Sequence, residues 1–317
     1  MTKELAKKNR KKAIKKKVRR HRLKRGIRKS ICAIAGIACA AGAYTWIMRP
    51  VLIQTHTDTA EYQTDEILSY ANERILNTTS RKLSRIPVIA HRGFSENVLD
   101  NSYAAFDQAM SAGCPQIELD VHASSDGVLY VNHDPNLKEC AGLDWNIKDH
   151  SSAELDGILM KNGEKLHRLS EVLERYRDQM IYLIELKDEN DDPMPFLDVA
   201  YGHANLAQNM QIQSFNADLI ENIHKSLPNM FVQLLISDEA LIDEALGWQW
   251  LDSLALDQKL ISQDRIDWIH RNGKEVWIWT VDNLDDIHKY LSWGADGVIT
   301  DLDSAVVLYK EMSQNAS

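Results

Sequence analysis

Two histidines, an arginine, a lysine and three carboxylates stand at or near the ends of short apolar runs in this chain. His91-Arg92 follows Val88–Ala90. Glu118 and Asp120 lie within Ile117–Val121, His133 follows Val128–Asn132, and Glu185 and Lys187 close the run Ile181–Leu186. Glu118 and Asp120 are two apart, so on a strand their side chains share a face. Glu185 ends another run and can complete a carboxylate cluster. Three carboxylates without a thiolate form a hard oxygen site, suited to one divalent cation, Mg²⁺ or Ca²⁺, rather than zinc. The alternative is surface ion pairing, but carboxylates ending apolar strands are costly without a cation. Arg92 offers a planar fork of donors to a phosphate, and Lys187 adds a point charge. His91 and His133 are the natural proton carriers near neutral pH. Together these residues point to metal-assisted chemistry on a phosphate.

Such residues converge only if their strands run parallel in one sheet and open at one mouth, as in barrel enzymes. The further strand candidates are Met210–Gln213, Phe231–Ile236, Leu254–Leu256, Glu275–Thr280 and Gly297–Thr300. Helical patterns cover Tyr103–Ala112, Ser170–Arg177, Asp218–Ser226, Glu239–Ala245, Ser262–Asn272 and Leu284–Trp293. This alternation predicts parallel βα units. Nine candidates exceed the eight of a closed barrel, but Ser124-Ser125-Asp126-Gly127 is a tight-turn sequence between the second and third. A turn that short joins antiparallel strands, which leaves eight staves and an arm. The fold expected is an α/β (β/α)8 TIM-type barrel over residues 85–315, with an insertion at about 135–169 after the third strand segment. An open doubly wound sheet is the alternative, and no Gly-rich phosphate loop opens a first helix to support it. The insertion is polar, carries Gly142, Gly157 and Gly163, and shows a capping-box pattern at Ser151 and Glu154. Either a substrate-binding cap or surface decoration would suit it.

The chain ends carry a second kind of information. The first thirty residues hold sixteen Lys or Arg against one acid, Glu4, so of the totals of 37 basic and 46 acidic residues the remainder keeps 21 and 45. A basic tail joined to an acidic body points to a membrane or to nucleic acid. Residues 31–48, Ile31 to Met48, carry no charge, and as a helix they span roughly 27 Å, close to a bilayer core. The expectation is a single transmembrane signal anchor with the basic tail (1–30) in the cytoplasm on anionic lipid, a juxtamembrane linker or helix at 49–84, and an extracytoplasmic body. The alternative is secretion after cleavage at Ala41-Gly42-Ala43. Nucleic acid is not an expected partner, and no feature implies a protein partner. Cys32 and Cys39 fall in the apolar span. Cys114 and Cys140 lie in the body, where a pair is allowed but not demanded.

Further blocks join these residues in order: His91-Arg92-Gly93, Asp100-Asn101-Ser102 before Ala105-Phe106, Glu118-Leu119-Asp120, Asp126-Gly127, His133-Asp134, Glu185-Leu186-Lys187, Ser214-Phe215, Trp279-Thr280-Val281, and Ala295 to Asp301. On these motifs the body resembles the glycerophosphodiester phosphodiesterase family. They keep the family order from about Val88 to Asp303. The resemblance implies Glu118, Asp120 and Glu185 as metal ligands. It also implies that one of His91 and His133 acts as base and the other as acid. A glycerol hydroxyl would attack phosphorus, and water would then open the cyclic phosphate. Three positions depart from the pattern. Asp100 stands where the family has Glu and touches substrate positioning. Lys138-Glu139 reverses a usual positive charge, and Asp303 replaces a usual Pro. The function expected is metal-dependent hydrolysis of a small-molecule or lipid glycerophosphodiester. The alternative is a membrane-anchored binding or scaffold module with a decayed site.

Overall fold

Short aliphatic and β-branched runs form nine strands in one sheet. They are β1 (Val88–Ala90), β2 (Gln116–Ala123), β3 (Leu129–Val131), β4 (Ile181–Leu186), β5 (Met210–Ser214), β6 (Phe231–Ile236), β7 (Ser253–Asp257), β8 (Glu275–Trp279) and β9 (Gly297–Thr300). This is a computed structural model, and it describes residues 86–187 and 192–315. The expected tail, membrane span and linker lie outside the described residues. Among the described residues no helix is long and apolar enough to cross a membrane.

Eight of the strands run parallel and close on themselves, because β1 pairs with both β9 and β2. The ninth, β3, pairs antiparallel with β2. Its turn is held where Ser124 Oγ accepts from Val128 N at 2.9 Å, and Gly127 takes the left-handed φ of +83° that the turn requires. The hairpin arm inferred from the turn sequence is therefore present, and the open sheet is excluded.

Strand alternation divides the core in two. Ile117, Leu119 and Val121 of β2 face outward to the helices, with Tyr182, Ile184, Leu186 and their counterparts on later strands. Ile89, Leu183, Leu235, Ala255, Trp277 and Ile299 face inward and fill the barrel. Trp277 fits because its register partner is Gly297. A Cβ there would meet the indole at 2.2 Å, so the strand keeps a glycine for close packing.

Two of the longer helices were not among the helical patterns read from the sequence. Met194–Gly202 is a helix with proline in its first turn, where no intrahelical N–H is needed. The terminal helix Ser304–Asn315 buries only Ala305 and Val306, too narrow a stripe to show as periodicity.

The insertion has a small core of its own. Tyr130 of β3 packs with Leu137, Cys140, Ile147, Leu155, Ile158, Met160 and Leu166. The expected cap at Ser151 forms, with Glu154 accepting from the Ser151 backbone N–H at 2.8 Å. Cys114 and Cys140 are free and buried.

Candidate active site

The strand register builds the acidic cluster directly. Asp120 of β2 stands opposite Glu185 of β4, and Glu118 lies two residues earlier on the same face. All three carboxylates are buried, and an oxygen of each lies within 4.8 Å of the others. The expected trio is thus brought together, and the remaining predicted residues surround it. Lys187 Nζ is 3.0 Å from Asp120 Oδ1 and 2.7 Å from Glu185 Oε1. Arg92 donates from its backbone N–H to Glu118 Oε2 at 3.1 Å, its Nε lies 3.2 Å from Asp120 Oδ2, and its Nη1 donates to Asp100 Oδ2 at 2.9 Å.

The loop between β1 and the first helix is folded tightly to do this. Arg92 and Asn101 both have left-handed φ, 54° and 53°, conformations that cost non-glycine residues energy and collect at functional sites. The Asn101 backbone N–H donates to the Arg92 carbonyl at 2.9 Å, closing the loop. Gly93 lies so near the helix that a Cβ would meet the Ala105 backbone at 2.6 Å. Asn101 was not among the residues singled out for the site, although it sits inside the Asp-Asn-Ser block. Its amide donates to Asp120 Oδ2 at 2.8 Å, and its Oδ1 accepts from Asp120 N at 3.2 Å.

Each histidine is oriented by an aspartate through Nδ1. His91 pairs with Asp301 Oδ1 at 2.8 Å and His133 with Asp134 Oδ1 at 2.8 Å. Asp301 is held in turn where its backbone N–H donates to Asp282 at 2.8 Å. The His133 carbonyl accepts from His122 Nε2 at 2.9 Å, which fixes the loop after β3. Both histidines line the inner cavity at the barrel mouth with Glu118, Glu185 and Lys187. Phe215 and Trp279 form an apolar wall there, meeting edge to face at 5.5 Å.

Sequence reasoning also missed a polar chain across the barrel. Gln213 donates to Glu118 Oε1 at 3.2 Å, Gln233 donates to Gln213 Oε1 at 2.9 Å, and Ser253 donates to Gln233 Oε1 at 2.9 Å. Every donor points toward Glu118, so the chain favours a carboxylate that accepts. Gln213, Gln233 and Ser253 are register neighbours on β5, β6 and β7. Their signal was a polar residue at an inward position of an apolar strand.

The electrostatics follow from burial against paired charge. Burial alone would raise Asp120, but Lys187 and Arg92 outweigh it and hold the group down at about 2. Burial, with Asp120 nearby, pushes Glu185 up to about 7, and burial with Asp120 and Glu185 raises Glu118 well above the usual carboxylate range. Burial, helped by Lys187 and Arg92, lowers His133 against the pull of Asp120. Three carboxylates face two cations, and two of the three are poorly stabilised as anions. Asp120 Oδ1 is moreover buried with no hydrogen bond in proper geometry. This donor set fits a hard divalent cation.

The insertion reaches this machinery from the side. Glu164 accepts from the N–H groups of Tyr103 (2.8 Å) and Ala104 (3.2 Å), at the N-terminus of the helix that follows Asn101. A carboxylate there is favoured by the orphan amides and the helix dipole. His167 donates to the same carboxylate at 2.8 Å and stacks on Tyr103 at 3.7 Å. No residue of 135–169 lines either cavity at the mouth, so the insertion braces the Asp100–Ser102 turn instead of covering these cavities.

A closed (β/α)8 barrel with paired histidines, an arginine and a buried carboxylate trio at its mouth defines a barrel hydrolase of phosphate esters. The chain belongs to the Glycerophosphoryl diester phosphodiesterase family, which matches residues 91–302. It is similar to the glycerophosphodiester phosphodiesterase of Bacillus subtilis, at 30% identity over 247 residues, covering 68% of this chain and 83% of that one. The enzyme of the same name from Caldanaerobacter subterraneus is 29% identical over 233 residues, 68% of this chain and 93% of that one. Among solved structures, the glycerophosphodiester phosphodiesterase of Parabacteroides distasonis aligns with a TM-score of 0.61 at 26% identity, over 73% of this chain and 98% of that one. That of Thermotoga maritima aligns with a TM-score of 0.57 at 27% identity, over 72% and 98%. The chain is accordingly an enzyme, a hydrolase of glycerophosphodiesters.

Proposed function

We propose that this hydrolysis depends on one divalent cation held by Glu118, Asp120 and Glu185, with His91 and His133 moving the protons. The observation that carries the reading is the buried trio itself, three carboxylates gathered within 4.8 Å against two cations, Arg92 and Lys187. When bound, a cation there polarises a phosphoryl oxygen and offsets the charge of the phosphate. Mg²⁺ and Ca²⁺ both suit an all-oxygen donor set. Arg92 and Lys187 bind the phosphate oxygens, and Asp100 and Asp120 hold the Arg92 fork in place. The Phe215–Trp279 wall excludes water from the carbon skeleton. One histidine takes the proton of the neighbouring glycerol hydroxyl as its oxygen bonds to phosphorus. The other gives a proton to the departing alcohol oxygen as the second P–O bond breaks. Water then opens the cyclic phosphate with the two roles exchanged. Asp301 and Asp134 keep each ring's Nε2 available for this. The products are glycerol phosphate and an alcohol in equal amounts. The test is their stoichiometric release from a glycerophosphodiester by the purified full-length chain supplied with Mg²⁺ or Ca²⁺. Release of neither product from any diester tried would remove the reading.

The reading extends to location. The uncharged run 31–48 behind a basic tail supports a single-pass anchor with the body outside the cytoplasm and the substrate a small or lipid diester on that side. Protease added to intact cells is expected to digest the body and spare the tail. Protection of the body would reverse the orientation, and a soluble product beginning near Tyr44 would show a cleaved signal instead.

A further inference from the structure

The barrel mouth opens into two cavities, and His91 and Arg92 belong to both. The inner one, about 100 Å³, is lined by Glu118, Glu185, His133 and the aromatic wall. The outer one, about 280 Å³, adds Ser95, Val98, Leu99, Asp100 and Asp301 to the two shared residues. A phosphodiester gripped at Arg92 places its two alcohols on opposite sides. With the glycerol carbons against the Phe215–Trp279 wall of the inner cavity, as in the reading above, the departing alcohol is directed to the outer cleft, which His91 also lines.

The chemistry of that cleft is selective. Its only Lys or Arg is Arg92, which already pairs with Asp100 and Asp120. It has two carboxylates. Asp100 Oδ2 accepts from Arg92 and Asp301 Oδ1 from His91. The other oxygen of each, Asp100 Oδ1 and Asp301 Oδ2, has no protein donor among the described residues, and these side chains are 33% and 36% exposed. Two acceptors without donors beside a phosphate suit a group that brings N–H bonds and positive charge. An anionic alcohol is repelled by both carboxylates. A quaternary ammonium has no N–H to give, and no aromatic ring lines the cleft to receive it. An acyl chain finds only Val98 and Leu99 as apolar surface.

We propose that the outer cleft is the leaving-group subsite and selects an alcohol carrying a primary amine, of the ethanolamine class. This rests on the diesterase reading above. The test compares kcat/KM of the full-length chain, with divalent cation, on four diesters of glycerol 3-phosphate. Their leaving groups are ethanolamine, choline, glycerol and glycerol phosphate. The ethanolamine diester is expected to lead, with the anionic one at least about tenfold behind it, and added salt narrows the gap by screening these part-exposed charges. Ser95→Lys places a cation in the cleft and lowers the ethanolamine-to-anionic ratio severalfold. Equal or better cleavage of the choline, glycerol or anionic diester by the wild type, or a ratio unmoved by both salt and Ser95→Lys, overturns the subsite while leaving the diesterase reading intact. Cleavage of none of the four overturns both.

Discussion

His91→Ala and His133→Ala each lower turnover by about 10²-fold or more, the usual contribution of a positioned general acid or base. Each ring is tied by Nδ1 to an aspartate and lines the inner cavity, so each loss removes one proton transfer and leaves the barrel untouched. Both side chains are partly exposed at strand ends, and melting curves of the variants should overlay the wild type. The double variant should be only slightly worse than the worse single one, because residues that act as a unit are not additive. Turnover within tenfold of wild type in either single variant would take that histidine out of proton transfer. A wild-type chain that binds cation yet cleaves no glycerophosphodiester would favour the scaffold reading, and Asp100→Glu would then show whether the family residue restores activity.

Removal of the cation is the second large effect. A chelator should abolish activity, and Mg²⁺ or Ca²⁺ should restore it. The binding has a readout apart from catalysis. A ligand that binds only the folded chain stabilises it by about 2.7 kcal/mol at a hundredfold excess over its Kd, so melting temperature should rise with cation. Glu118→Gln, Asp120→Asn and Glu185→Gln should each blunt that rise. The Glu118 variant is the sharpest of the three, because Gln213 and the Arg92 backbone N–H both donate to this carboxylate. A glutamine there can meet one donor but places its own N–H₂ against the other. Full activity in excess chelator, with metal content measured as nil, would end the proposal.

The barrel was legible because its strands are short, continuous apolar runs, and these mark a sheet covered on both sides. The count came right only through the Ser124–Gly127 turn, a local chemical signal that turned nine runs into eight staves and an arm. The chemistry-bearing residues were legible for a similar reason, since charge at the end of an apolar run is expensive without a purpose. What stayed hidden depends on register. Gln213, Gln233 and Ser253 are ordinary polar residues until the shear of the barrel sets them side by side. Asn101 is a loop residue until the left-handed turn points it at Asp120. Glu164 lies about sixty residues from the helix it caps, and no spacing rule reaches that far. The proline-flanked helix Met194–Gly202 was hidden because a breaker in mid-helix is an ordinary residue in a first turn.

The interior plug of Ile89, Leu183, Leu235, Ala255, Trp277 and Ile299 makes the barrel blind at its far end. Substrate, water and both products therefore share one doorway. On the proposed two-step route the alcohol would have to clear that doorway before a water molecule could reach the phosphorus it leaves behind, so the architecture would impose a queue on the reaction, with glycerol phosphate last to go.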